Sequence, residues 1–153
     1  MGRWNDYLGT RHPDGATAPL PSPEVRRALL ALNDSDVPFR VREGVGQEGD
    51  LVAECRLPAL RVRLVTRMRL APDTHEVRAL DERWELTASA ATRGEYSRGP
   101  ANTVYRVWGT RPGPDGRPHR VETFRFDTRS MKDPLRQTVL DAGWTWRGVL
   151  LRL

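Results

Sequence analysis

The chain has 153 residues, 25 basic side chains against 20 acidic ones, a net charge of +5 and a single cysteine. At this length a folded domain buries roughly 68–70% of the surface its unfolded chain exposes, so neither a structural metal nor a disulfide is required, and Cys55 could pair only with another chain. No apolar run approaches the ~18 residues of a membrane-spanning helix, the N-terminal stretch lacks the apolar core of a signal peptide, and a cysteine-poor chain points to a reducing, cytoplasmic setting.

Lys132 is the sole lysine and isoleucine is absent. AT-rich codons encode both, so the arginine bias reads as a GC-rich, bacterial genome and not as selection for phosphate. The positive balance favours weak attraction to anions without naming a partner.

Residues 1–21 read as an irregular arm: His12-Pro13-Asp14-Gly15 signals a turn, and Pro19 and Pro21 resist regular structure. Trp4, Tyr7 and Leu8 in the arm either dock on the domain or form a partner-binding hook. Docking is favoured, because exposed aromatics carry an aggregation risk. Ser22-Pro23-Glu24 starts a helix, with a Ser cap and Pro at the first helical position. Val25, Ala28, Leu29 and Leu32 form its apolar stripe, and Asn33-Asp34-Ser35-Asp36 ends it.

Strands are predicted over Pro38–Glu43 and Asp50–Leu57, with Leu51, Ala53, Cys55 and Leu57 on one face. Cys55 therefore reads as a buried structural thiol and not a nucleophile. The central stretch is Leu60–Leu86. Leu60, Val62, Leu64, Met68 and Leu70 alternate with Arg61, Arg63, Arg67 and Arg69, a period of two that turns one face inward and one to water. Ala71-Pro72-Asp73-Thr74 reads as a turn and Val77–Leu86 as the returning strand. Apolar phase slips by one near Ala79–Leu80, between Val121 and Phe124/Phe126, and between Trp144/Trp146 and Val149/Leu151/Leu153. Each slip predicts a β-bulge in a strongly twisted sheet.

Residues 88–102 read as a long loop. Thr103–Thr110 and His119–Asp127 form a second hairpin about Arg111-Pro112-Gly113-Pro114-Asp115-Gly116. Ser130–Asp133 is a capping-box pattern, with Asp133-Pro134 an alternative helix start. Met131, Leu135, Val139 and Ala142 share a helical face that Gly143 terminates, and Trp144–Leu153 is a last strand. The fold class is α+β: one domain over 22–153, with about seven mostly antiparallel strands in a curved sheet, open or partly closed, and two short helices.

The segments Phe124-Arg125-Phe126-Asp127, Asp133-Pro134-Leu135-Arg136 and Ala142-Gly143-Trp144-Thr145-Trp146-Arg147-Gly148-Val149 resemble the ending of a family of small bacterial proteins of unknown function. Arg69–Trp84, containing His75-Glu76-Val77-Arg78-Ala79-Leu80-Asp81, resembles the same family. The resemblance implies a soluble β-rich domain with a penultimate helix. It implies no reaction, ligand or site residue.

Catalytic signatures do not assemble. Gly44-Val45-Gly46-Gln47-Glu48-Gly49 matches a dinucleotide fingerprint literally, but a strand follows it where that fingerprint needs a helix, and Glu43, Glu48 and Asp50 repel phosphate. It reads as a hairpin loop. His12, His75 and His119 sit at separate turns, so no metal site is expected. Asp81, Glu82 and Glu85 read as cross-strand partners of the arginines at ~0.2–1 kcal/mol per pair. Asp34/Asp36 carries no cleft signal. Trp84, Trp108, Trp144 and Trp146 read as core.

No catalytic residue and no cofactor is expected, which leaves a non-catalytic binding or interaction module. The functional reading of the arginine row is an anion-binding site at Arg61, Arg63, Arg67 and Arg69, extended by Arg93, Tyr96 and Arg98, with nucleic acid or another polyanion as the ligand. The favoured reading is a solvated face neutralised by Glu54, Glu76, Asp81, Glu82, Glu85 and Glu122, because a net charge of +5 is modest for a nucleic-acid binder. A third reading is a sheet interior that carries a small apolar ligand or lipid.

Overall fold

The computed structural model describes residues 8–86, 94–98, 102–151 and 153, with residues 86 and 94–97 described by their backbone alone. The elements are α1 (Ser22–Ala31), β1 (Arg40–Glu43), β2 (Leu51–Leu57), β3 (Val62–Ala71), β4 (Glu76–Leu86), β5 (Gly94–Arg98), β6 (Val104–Pro112), β7 (Pro118–Asp127), α2 (Arg129–Asp141) and β8 (Thr145–Val149). The architecture is α+β. Six strands form an open sheet, ordered β1-β2-β3-β4-β5 with β8 also on β4, and β6–β7 is a separate two-stranded ribbon. The strands thus divide between two sheets, and among the described residues no barrel closes. No helix among the described residues is long and apolar enough to cross a membrane.

The β3–β4 hairpin is continuous from Val62↔Glu85 to Ala71↔Glu76. Two expectations shift here. Leu60 lies in a 3₁₀ turn and Arg61 is left-handed at φ 54°, so the strand starts at Val62. The bulge expected at Ala79–Leu80 is absent. Ala79 points to the helices and Leu80 to the opposite face, and both are 4% exposed. A strand buried on both faces loses its alternation without losing its register. The second slip is a bulge: Val107 pairs Phe124 and Trp108 pairs Glu122, leaving Thr123 as the extra residue. The third slip falls at the end of β8, where Val149 closes the pairing with Leu80.

Both helices pack on one sheet face. Val25 and Leu29 of α1 and Met131, Leu135 and Val139 of α2 repeat at helical spacing. They meet Leu51, Ala53, Cys55, Leu64, Met68, Val77, Trp144 and Trp146 in one core. Neither expected Ser cap forms. Pro21 and Thr128 stand at the N-caps without side-chain cap bonds, and α2 continues through Pro134. What fixes the start of α2 is a bridge to the next layer: Thr128 Oγ1 accepts from Thr103 N at 2.9 Å and Thr128 N donates to Thr103 O at 3.0 Å. Its end is a Schellman turn, with Trp144 N donating to Val139 O, Gly143 N to Leu140 O, and Gly143 at φ 76°.

The arm docks where it is described. Arg11 exchanges both backbone bonds with Trp146, and Leu20 O accepts from Trp144 Nε1 at 2.8 Å. Trp4 and Tyr7 lie outside the described residues. Past β8, the Leu153 side chain lies close to Gly49 of the β1–β2 loop.

Candidate functional site

Because β-strand side chains alternate, one register assignment decides which groups share the sheet face away from the helices. On that face the cross-strand rows read off directly. Arg56 stands opposite Arg63, Arg63 opposite Trp84, and Trp84 opposite Tyr96. The next row is Arg40, Glu54, Val65, Glu82 and Arg98, followed by Arg42, Val52, Arg67, Leu80 and Val149. Arg69, Arg78 and Arg147 form a row across three strands, and Glu76 stands beyond it between Ala71 and Thr145.

These rows hold nine arginines and three glutamates. The surplus of six exceeds the +5 of the whole chain, so the rest of the molecule is slightly acidic. Like charges directly opposite one another destabilise a sheet. Here Arg56 faces Arg63, and Arg78 faces both Arg69 and Arg147.

The glutamates are shared among the arginines. Glu54 accepts from Arg56 Nε at 2.7 Å and from Arg63 at 3.0 and 3.3 Å. Glu76, only 6% exposed, accepts from Arg147 Nε at 2.7 Å and Arg78 Nε at 3.1 Å. Glu82 is ion-paired with Arg67, and Glu48 from the β1–β2 loop binds Arg42. The Arg63 hydrogen bond, reinforced by Arg56, holds the Glu54 carboxyl below the usual carboxylate range despite burial. For Glu76, burial pushes upward, but Arg147 and Arg78 together pull the carboxyl below that range. Arg69 has no carboxylate partner among the described residues. Val52, Val65 and Leu80 are buried on this face among the long arginine side chains, whose aliphatic stems can cover apolar surface while their heads stay wet.

Of the residues expected to bind anions, Arg63, Arg67, Arg69 and Arg98 fall on this one face, and Tyr96 is in register with it. Arg61 stands off the strand in its left-handed turn, and Arg93 lies outside the described residues. The acids divide by parity. Glu82 faces the arginines, whereas Asp81 and Glu85 project to the helix side, where Glu85 accepts from Tyr105 Oη at 3.1 Å. Arg40, Arg42, Arg78 and Arg147 escape a reading of β3 alone, because only strand order brings them beside it. Of the tryptophans, Trp144 and Trp146 are core, but Trp84 is 40% exposed and Trp108 45%, with Arg120 over the Trp108 ring at 4.8 Å.

A second feature lies on the helix side. The outer edge of β4 is divided: β8 holds Glu76–Leu80 and β5 holds Glu82–Leu86, which leaves Asp81 at the junction. A cleft of about 120 Å³ opens there between sheet and α2, lined by Thr66, Asp81, Arg83, Thr103, Thr128 and Lys132 among others. Asp81 accepts from Thr66 Oγ1 at 2.8 Å and pairs with Lys132 Nζ at 3.0 Å, with the lysine side chain only 12% exposed. Lys132 is the sole lysine of the chain, but composition alone does not bring it beside Asp81.

The remaining motifs resolve structurally. The three glycines of Gly44–Gly49 serve the β1–β2 turn: a Cβ at Gly44 would clash with the carbonyl oxygen of Gly49, and Gly46 and Gly49 have φ of 61° and 107°. Burial raises the Cys55 thiol to about 11. His12, His75 and His119 are exposed and stand in separate segments, His75 in the β3–β4 turn and His119 at the start of β7, and among the described residues no group of His, Cys, Asp and Glu is placed to hold a metal.

Comparisons with protein-family models, with curated proteins and with solved structures find no match to this chain.

Proposed function

We propose that this protein is a non-catalytic binding module whose arginine-covered sheet face takes an extended polyanion. The observation that carries the reading is the concentration of charge: nine arginines against three glutamates, on strands set side by side. Strands are spaced ~4.8 Å apart and residues of one face recur every ~6.8 Å along each, so the guanidiniums form a two-dimensional grid. A grid suits a ligand that carries many anions at regular spacing better than one carrying a single anion. Two of the glutamates are each divided between two arginines, so cationic charge remains after the internal pairs are made. Counterion release from the ligand then drives association.

The test is heparin binding across a salt series. Log affinity should fall linearly with log salt, and the double variant Arg63→Ser/Arg69→Ser should flatten the slope by about two charges. Absence of binding at low salt, or an unchanged slope in a variant with a native circular dichroism spectrum, overturns the reading.

A further inference from the structure

The face is not uniform, and one end of it carries an aromatic group among the cations. Trp84 sits in the row that begins with Arg56 and Arg63, is 40% exposed, and stands opposite Tyr96 across β4–β5. At the β1 end of the same region, Arg40 and Arg56 border a groove with Val37, Pro38 and Glu54. From β1 to β5 is four inter-strand steps, or ~19 Å. A ligand lying across the strands would therefore meet cations first and an indole face last.

An indole adds no charge to a face that binds a purely ionic polymer. A sulfated or carboxylated sugar chain meets it only with C–H groups, and duplex nucleic acid keeps its bases stacked inside. Unpaired bases present π-faces that stack on aromatic side chains regardless of sequence, while a positive groove tracks the backbone. Arginine beside the ring adds a second planar surface.

We infer that the ligand class is single-stranded nucleic acid, held across the strands with its backbone on Arg40, Arg56 and Arg63 and a base stacked on Trp84. This rests on the polyanion reading of the face and narrows it.

The experiment compares three ligands at matched salt by fluorescence anisotropy or competition: a labelled oligothymidylate of roughly ten nucleotides, a duplex of equal length, and heparin. The single strand should bind more tightly than the duplex. Trp84→Ala should weaken it roughly tenfold, the lower part of the range for loss of one stacked base, while changing heparin affinity less than twofold. Trp84→Phe should restore most of the loss, which separates stacking from a fold defect. Heparin binding without oligonucleotide binding, equal binding of single strand and duplex, or an equal loss on both ligands in Trp84→Ala overturns the inference while the polyanion reading stands. Failure of all three ligands overturns both.

Discussion

The side chain of Asn33 forms a two-point pair with the backbone of Val41: Nδ2 donates to Val41 O and Oδ1 accepts from Val41 N, both at 2.8 Å. Val41 lies on β1, the outermost strand of the sheet. Its N–H and C=O face away from β2, and the carboxamide of Asn33 occupies the position of a neighbouring strand. Exposed edges of this kind template pairing with other chains, and natural sheets block them by various means.

Asn33→Ala should therefore do two things. It removes two hydrogen bonds, for a loss of about 1–3 kcal/mol, read as a lowered denaturant midpoint. It also opens the edge, so light scattering should show concentration-dependent association that the parent chain lacks. A variant that is destabilised but stays monomeric at all concentrations would refute the edge-blocking role.

The carboxyls of Glu54 and Glu76 are held below the usual 4.5 by their arginines. A group with a depressed folded-state pKa contributes stability that is present above its unfolded value and is lost as pH falls through the folded value. Denaturant midpoints should therefore hold near neutrality and fall as the pH drops below about 4.5. Glu76→Gln should make that fall shallower, because the variant has one proton fewer to gain on unfolding. An identical pH profile in Glu76→Gln would exclude a contribution from this site.

Lys132 and Asp81 tie α2 to β4 at low exposure. Removing one member of a buried pair strands the other. Lys132→Met should cost roughly 3 kcal/mol, at the lower end of the range for breaking a buried pair. Adding Asp81→Asn should recover much of that cost, since no charge is then left without its partner. A double variant no better than the single one would show that the pair contributes through packing alone.

Cys55 is 1% exposed, and burial raises its thiol to about 11. The neutral thiol predominates at physiological pH, and reagents reach it only through opening of the sheet. Its labelling rate with an aromatic disulfide should track global unfolding, increasing with denaturant in step with the loss of tryptophan burial. Rapid labelling under native conditions would contradict this packing.

The legible parts of this fold were those where one face meets water. The β3 alternation of Val62, Leu64, Met68 and Leu70 with arginines was readable, and the bulge at Thr123 was readable from the displaced Phe124. The two-sided burial of Ala79 and Leu80 imitated a bulge, because periodicity carries no information once both parities are apolar. β5 was hidden in a stretch that reads as loop, since an edge strand needs little hydrophobic signal. The cationic face was legible only as the β3 row. Its breadth comes from Arg40, Arg42, Arg78 and Arg147, which strand order and not spacing brings alongside. The Lys132–Asp81 pair spans separate elements, a proximity that a single sequence does not encode locally.

The parallel placement of β8 beside β4 has a kinetic consequence. Glu76 and Arg147 are 71 positions apart, and their contact closes a circuit around β5, the ribbon and α2. Such distant closures are slow, because chain entropy is lost before any contact compensates it. Until that last strand arrives, Arg78 lacks its neighbour Arg147 and Glu76 keeps only part of its cationic cage. An intermediate with the β3–β4 hairpin formed but β8 undocked would carry an unfinished charge lattice, so full grip on a polyanion would report that the chain had completed its fold.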